Sequence, residues 1–213
     1  MDKKAYIFDL DGTLIDSMTI GWNHVLLKYL DDRGIAYPAD IISQVIALGF
    51  KGIVQYYKTH FPLQESEEEV FSSLINGMQE LYNNVFLAKS NVEETLRALK
   101  KRGARLNVLT ASPHSFLDPC LKRLGLTDLS ENLWSLEDFP TTKADPKIYE
   151  LAAERLGVAP SDCVMIDDSI SALRPAKEAG LATVGVYDEI SASREAEMRA
   201  LADKYIYNFK ELL

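Results

Sequence analysis

Residues 5–14 read Ala-Tyr-Ile-Phe-Asp-Leu-Asp-Gly-Thr-Leu, so that an apolar run ends in two carboxylates, a glycine and a threonine. The run is short, aromatic and branched, which is typical of a strand buried on both faces of a sheet. Ligands of open α/β sheets bind beyond the carboxyl ends of the strands, which is where Asp9 would emerge. Two neighbouring acids are costly there unless a cation or a proton-transfer role uses Asp9 and Asp11. The alternative is a strand that ends in an ordinary Asp-Gly turn.

Two later apolar runs also end in polar groups. One leads into Thr110 and Ala111, the other leads into Asp167 and Asp168, and Lys143 stands between them ahead of an Asp-Pro pair. The carboxyl ends of parallel strands lie at one edge of a sheet. We therefore expect these separate stretches to converge with the first pair of acids.

The second half of the chain alternates between strand and helix patterns. Glycines at 103, 125, 157 and 180 fall where the predicted helices should stop. This alternation predicts a parallel sheet with helices on both faces, and the first strand at 5–9 belongs to it. Helices are expected at 92–102, 115–124, 146–156, 171–179 and 191–202, and strands at 105–109, 133–136, 162–166, 181–186 and 204–207.

Residues 16–88 break this rhythm, because apolar side chains recur there at helical spacing without an intervening strand pattern. Ser66, followed by acids at 67–69, is a plausible helix N-cap. The pattern predicts an all-helical insert after the first strand, with the core formed by residues 1–15 and 89–213.

Composition limits the classes of partner. The chain has 213 residues, 47% hydrophobic and 26% charged, with a formal net charge of -9. This balance argues against a nucleic-acid partner, and no apolar run approaches the length that a membrane requires. Because the first strand follows the start directly, we expect no signal peptide and a cytoplasmic location. Cys120 and Cys163 are expected to be reduced packing residues.

In order and spacing, these segments resemble the four signature motifs of the haloacid dehalogenase (HAD) superfamily. The motifs read Asp-x-Asp-Gly-Thr, an apolar strand that ends in Thr, a Lys ahead of Asp-Pro-x-x-Tyr, and an Asp-Asp-Ser strand end. The resemblance covers nearly the whole chain and extends to phosphoglycolate phosphatases and β-phosphoglucomutases with a helical cap. It implies an α/β fold with a Rossmann-like parallel sheet flanked by helices, and a helical cap domain over residues 16–88.

The resemblance implies a Mg²⁺-dependent phosphatase that acts on a small phosphorylated metabolite. Asp9 would be the nucleophile that forms an aspartyl-phosphate, and Asp11 would be the general acid and base. The metal would be held by Asp9, Asp168, Asp167 and the backbone carbonyl of Asp11. Ala172 departs from the Asp or Asn of many members, which shifts metal binding onto the Asp167–Asp168 pair.

The same resemblance assigns the phosphate to Thr110, the backbone N–H of Ala111, and Lys143. Lys147 competes with Lys143 for this role, and an isolated lysine is usually a solvated surface residue. Lys51 lies in a Leu-Gly-Phe-Lys-Gly stretch at a turn between helices, where family members often contact substrate. It is our candidate for substrate specificity.

Three alternatives are disfavoured by particular features of the sequence, and a fourth, a catalytically idle binding protein, is disfavoured by the complete set of polar groups. Phosphosugar mutases of the β-phosphoglucomutase type carry a His five residues after the acid equivalent to Asp16, where this chain has Gly21. Dehalogenases lack the second acid, here Asp11. Phosphorylation-responsive receiver domains use similar groups, but they place the acidic pair on the first strand, put the acceptor later and have no helical insert.

Overall fold

The computed structural model describes residues 3–45 and 48–213. The chain divides into two compact units, one formed by Met1–Asp16 with Leu87–Leu213 and the other by Ser17–Phe86. The first unit is α/β and contains the parallel sheet. The second unit is helical.

Within the described residues, six parallel strands form one sheet in the order β3-β2-β1-β4-β5-β6. Every strand predicted from the sequence is present with bounds that differ by at most one residue, and the predicted α/β fold class is confirmed. The strands are β1 (Ala5–Phe8), β2 (Arg105–Thr110), β3 (Asn132–Ser135), β4 (Cys163–Asp167), β5 (Ala182–Val186) and β6 (Lys204–Ile206).

β1 lies inside the sheet, between β2 and β4, and all four of its residues are buried. It pairs with β2 on one side and with β4 on the other, so that Phe8 lies opposite Val108 and Ile166. The strand order reverses between β1 and β4. Such a reversal opens a crevice at the carboxyl ends of the two strands, which is the usual ligand position in open α/β sheets.

The helices of the α/β unit pack on this sheet, and the predicted glycines follow four of them with a positive φ. One prediction is partly wrong, because the helix expected at 191–202 is shorter and is preceded by a 3-10 turn at Ala192–Arg194. The side chain and backbone of Ser191 bond the carbonyl of Asp188, a local contact that competes with helix formation. The helices are α5 (Val92–Lys101), α6 (His114–Arg123), α7 (Pro146–Leu156), α8 (Ile170–Glu178) and α9 (Glu195–Leu201).

The helical unit has its own core. Tyr57 is fully buried and donates a hydrogen bond to the carbonyl of Leu26 at 3.1 Å. The predicted cap at Ser66 is present as a reciprocal capping box with Glu69. The described helices of this unit are α1 (Met18–Asp31), α2 (Ile41–Val45), α3 (Gly49–His60) and α4 (Glu67–Asn84).

Two further expectations concern single features. Cys120 and Cys163 are buried free thiols, as predicted. Among the helices of the described residues, none combines the length and the apolar character needed to cross a membrane.

Candidate active site

The loop after β1 holds two acids in a tight turn. The backbone N–H of Asp9 still donates to Ile166 at 2.9 Å, which ties the residue to β4. Beyond it, Gly12 has a φ of 77°, a conformation that favours glycine. A Cβ atom on Gly12 would lie 2.6 Å from Oδ2 of Asp168. Glycine therefore permits both the turn and the close approach of the acid on the neighbouring strand.

Three buried carboxylates meet at the reversal between β1 and β4. Asp9, Asp167 and Asp168 each offer an oxygen atom, and these atoms all lie within 4.8 Å of one another. The hydroxyl of Thr13 donates to Oδ1 of Asp168 at 3.0 Å, and the backbone N–H of Ser169 donates to Oδ1 of Asp167 at 2.8 Å. The carboxylates are thus held by the loop after β1 and by the start of α8.

Lys143 completes this cluster. Its ammonium group lies 2.6 Å from Oδ1 of Asp9 and 2.6 Å from Oδ2 of Asp167. The hydroxyl of Tyr149 donates to the carbonyl of Lys143 at 2.9 Å, which anchors the loop to α7. Lys147 instead pairs with Glu150 on the exposed face of α7, so that Lys143 is the one of the two lysines that contacts the acids.

Burial controls the electrostatics of the cluster. It raises the pKa of Asp9 well above the ordinary value; Lys143 opposes the rise and Asp167 adds to it. Burial also raises the pKa of Asp168 to about 7, with contributions from Asp167 and Asp188. For Lys143, burial lowers the pKa, but Asp167 and Asp9 outweigh burial and raise it above the ordinary lysine value. Three carboxyl groups thus share one lysine, and a bound cation would favour the ionised form of the acids.

The residues present fit a hard divalent cation. Within the described part of the chain, the cluster of possible ligands consists of carboxylate oxygens, which are the donors that Mg²⁺ prefers. Asp9 and Asp168 use Oδ1 for their contacts with Lys143 and Thr13. The second oxygen of each acid can therefore serve a metal.

Asp11 lies beside this cluster and is partly exposed. The hydroxyl of Ser112 donates to Oδ2 of Asp11 at 2.6 Å, and the hydroxyl of Thr110 donates to the same oxygen at 3.5 Å. The backbone N–H of Ser112 donates to the Thr110 hydroxyl at 3.0 Å. Ala111 is exposed between them. The Thr110 hydroxyl thus contacts Asp11 and the backbone of Ser112.

Lys51 lies in the first turn of α3 in the helical unit and is exposed. Its role stays a prediction. Sequence reasoning missed Ser135, the last residue of β3, and Asp188, which follows β5. Asp188 is buried and pairs with Lys89 at 2.8 Å. A polar residue at or after the carboxyl end of each predicted strand is the signal that would have found both.

The sequence matches a known protein family and several known enzymes. A family model of haloacid dehalogenase-like hydrolases matches residues 3–180. The pyrophosphatase PpaX of Bacillus velezensis is 30% identical over 187 residues, which cover 87% of this chain and 84% of that protein. A phosphoglycolate phosphatase of Thiobacillus denitrificans is 30% identical over 182 residues, covering 83% of this chain and 80% of that protein.

Solved structures show the same fold. A candidate beta-phosphoglucomutase from Thermotoga maritima aligns with a TM-score of 0.87 and 24% identity, covering 99% of this chain and 96% of that chain. CbbY from Rhodobacter sphaeroides, solved in complex with phosphate, aligns with a TM-score of 0.79 and 21% identity over the same shares. With the family match spanning most of its length, the chain belongs to the haloacid dehalogenase-like hydrolases, a family of enzymes.

Proposed function

We propose that the protein is a Mg²⁺-dependent phosphatase that hydrolyses a small phosphorylated metabolite through an aspartyl-phosphate on Asp9. The observation that carries this proposal is the meeting of Asp9, Asp167 and Asp168 with Lys143 at the strand reversal. The names of the relatives support it, since they include phosphoglycolate phosphatase and hexitol phosphatase B.

In the first step, a carboxylate oxygen of Asp9 attacks phosphorus and the ester P–O bond breaks. Asp11 gives its proton to the departing alkoxide. In the second step, water attacks the phosphorus of the aspartyl-phosphate, and Asp11 takes a proton from that water. The bond between phosphorus and the Asp9 oxygen breaks, which releases phosphate and restores Asp9. Lys143 offsets the charge of Asp9 and of the phosphate throughout, and Thr110 with the backbone N–H of Ala111 would bind the transferred group.

Mg²⁺, held by Asp9, Asp168 and the backbone carbonyl of Asp11 with Asp167 beside them, would supply the positive charge that lets an anionic ester approach an anionic nucleophile. The helical unit would act as the cap that selects the substrate, with Lys51 as the contact for a second substrate anion. Residues 16–88 are the proposed extent of this cap.

A mutase of the β-phosphoglucomutase type is disfavoured by a packing observation. The position that carries His in those mutases is Gly21, and a Cβ atom there would lie 2.6 Å from the ring of Phe86. An imidazole at this position requires the aromatic ring to move. Family membership likewise disfavours the receiver-like interpretation.

The test is turnover of a panel of aryl and alkyl phosphates with and without Mg²⁺, for the wild type and three variants. Asp9→Asn should abolish turnover and keep the fold by circular dichroism. Asp11→Asn should lose about 10²-fold or more with poor leaving groups. Asp128→Asn, at an exposed site in a 3-10 turn, is the matched control and should match the wild type. Undiminished turnover by Asp9→Asn would overturn the proposal.

A further inference from the structure

Two hydroxyl groups converge on one oxygen atom of Asp11. Ser112 donates to Oδ2 at 2.6 Å, and Thr110 donates to the same oxygen at 3.5 Å. A hydroxyl group can donate to a carboxylate or accept from a carboxylic acid, so the short contact with Ser112 is possible in both protonation states of Asp11. The contacts therefore hold the orientation of the Asp11 carboxyl group.

Ser112 is itself fixed from a neighbouring strand. The hydroxyl of Ser135 donates to the carbonyl of Ser112 at 2.8 Å. Ser135 is completely buried and lies opposite Thr110 in the β2–β3 pairing. Thr110 and Ser135 are the last residues of their strands. The register therefore places the Ser135 hydroxyl next to the loop that follows Thr110 and carries Ser112.

Ser135 is held in turn by the residues that follow it. Its backbone N–H donates to Oδ2 of Asp138 at 2.9 Å, and its hydroxyl accepts from the backbone N–H of Glu137 at 3.2 Å. Nε2 of His114 lies 2.9 Å from the same Asp138 oxygen. A continuous set of hydrogen bonds thus runs from the start of α6 through the end of β3 to Asp11.

We propose that Ser112, held by Ser135, is a positioning residue that holds the Asp11 carboxyl group in the orientation in which it exchanges protons with the leaving group and with water. This inference rests on the proposed function, in which Asp11 is the general acid and base. In the first step, the proton of Asp11 passes to the leaving alkoxide oxygen as the P–O bond breaks. In the second step, Asp11 takes a proton from the attacking water. Ser112 exchanges no proton with the substrate.

The role has a kinetic signature that follows from the leaving group. An alkoxide is a poor leaving group and needs the proton of Asp11, whereas para-nitrophenolate leaves without it. Asp11 acts as the base in the second step with either substrate, so the leaving group matters only in the first step, which kcat/KM reports. Loss of orientation at Asp11 should therefore lower kcat/KM for an alkyl phosphate much more than for para-nitrophenyl phosphate. A general loss of fold or of metal binding would slow both substrates equally.

The experiment measures kcat and KM in Mg²⁺ for para-nitrophenyl phosphate and for the alkyl phosphate that the wild type hydrolyses fastest. We expect Ser112→Ala to lower kcat/KM for the alkyl ester by about 10-fold or more and to lower kcat/KM for the aryl ester by less than about 3-fold. Ser112→Thr keeps the hydroxyl and should recover most of the alkyl rate. Ser135→Ala should show a smaller loss in the same direction.

Ser115→Ala is the matched control, because Ser115 is exposed in the first turn of α6 and should leave both rates unchanged. Equal losses on both substrates for Ser112→Ala, or no loss on either, would overturn the role of Ser112. Asp11→Asn is measured beside it. If that variant hydrolyses the alkyl ester at the wild-type rate, the proposed role of Asp11 fails and this inference fails with it.

Discussion

The ammonium group of Lys143 lies 2.6 Å from Oδ1 of Asp9, and the side chains are only 14% and 9% exposed. Both charges have lost most of their water, so each depends on the other for compensation. Lys143 shares this contact with Asp167 at the end of β4. One lysine therefore contacts acids from two strand ends at the site of the proposed chemistry and opposes the rise that burial causes in the pKa of Asp9.

Replacement of Lys143 should destabilise the fold. We expect Lys143→Met to lower the free energy of unfolding by about 3–5 kcal/mol at neutral pH, since it leaves Asp9 and Asp167 buried without their partner. Without the lysine, burial holds the pKa of Asp9 in the folded state above that in the unfolded state. The folded variant therefore binds more protons, and it should regain stability as the pH falls.

Urea unfolding at about pH 5 and about pH 8 measures this effect, because both values lie above the ordinary carboxyl pKa and only a raised pKa in the folded variant binds protons between them. Lys147→Met is the matched control, because it removes only an exposed pair with Glu150 and should change stability little. A Lys143→Met variant as stable as the wild type at both pH values would contradict the pairing.

Gly12 offers a prediction that separates backbone strain from steric conflict. Gly12→Ala places a methyl group against Asp168, and we expect loss of metal-dependent turnover in addition to about 1–2 kcal/mol of strain from the positive φ. Gly125 has a similar φ of 69° with no atom near its Cβ position. Gly125→Ala should therefore show the strain without the loss of activity. Chemical unfolding measures the strain, and turnover at increasing Mg²⁺ concentration measures the loss of activity. Equal behaviour of the two variants in both measurements would contradict the explanation.

His114 should make a small contribution to stability that depends on pH. Its hydrogen bond with Asp118 raises the pKa of His114, and the bond with Asp138 adds to the rise, while burial opposes it. Glu137 also faces this site and accepts a hydrogen bond from the His114 backbone. Because the folded pKa lies above the unfolded one, the contribution is full below the unfolded pKa. It is lost as the pH rises through the folded pKa.

We therefore expect His114→Gln to reduce the free energy of unfolding by less than about 1 kcal/mol at about pH 5.5, since the site is partly exposed. The difference from the wild type should shrink at about pH 8.5. Urea unfolding of both proteins checks the sign. A difference that grows with pH would show that the contacts of the charged imidazole are not stabilising.

Lys51 tests the proposed origin of specificity. Lys51→Ala should change the ranking of phosphate esters while the rate with a small aryl phosphate stays near that of the wild type, because the aryl ester has no second anion. Lys28→Ala, which removes an exposed pair with Asp32 on α1, is the control from the same unit. A uniform loss across all substrates would argue against a specificity role.

The parallel sheet could be predicted because its signals are local. Buried strands such as β1 read as short apolar runs, and Gly157 marks the end of α7 through its positive φ. The α9 region could not be predicted to the residue, since the turn at Asp188 and Ser191 competes with the helix.

The site was predictable in part for the same reason. Asp9 and Asp167 lie at strand ends that the sequence predicts, and their proximity follows once the strands are parallel. Lys143 lies in the loop before α7, and only the family resemblance indicated its role. The contact between Ser112 and Ser135 depends on the β2–β3 register, which apolar runs on both strands do not specify. The catalytic and phosphate-binding roles of the predicted residues stay predictions.

The most direct test of the account is chemical capture of the intermediate. Wild-type enzyme is mixed with its best substrate and Mg²⁺, quenched in acid within one turnover, digested and analysed by mass spectrometry. The account predicts the mass of one phosphoryl group on the peptide that contains Asp9, lost on mild alkaline treatment and missing in Asp9→Asn. A phosphoryl group on a different residue, or turnover without any phosphorylated peptide, would contradict it.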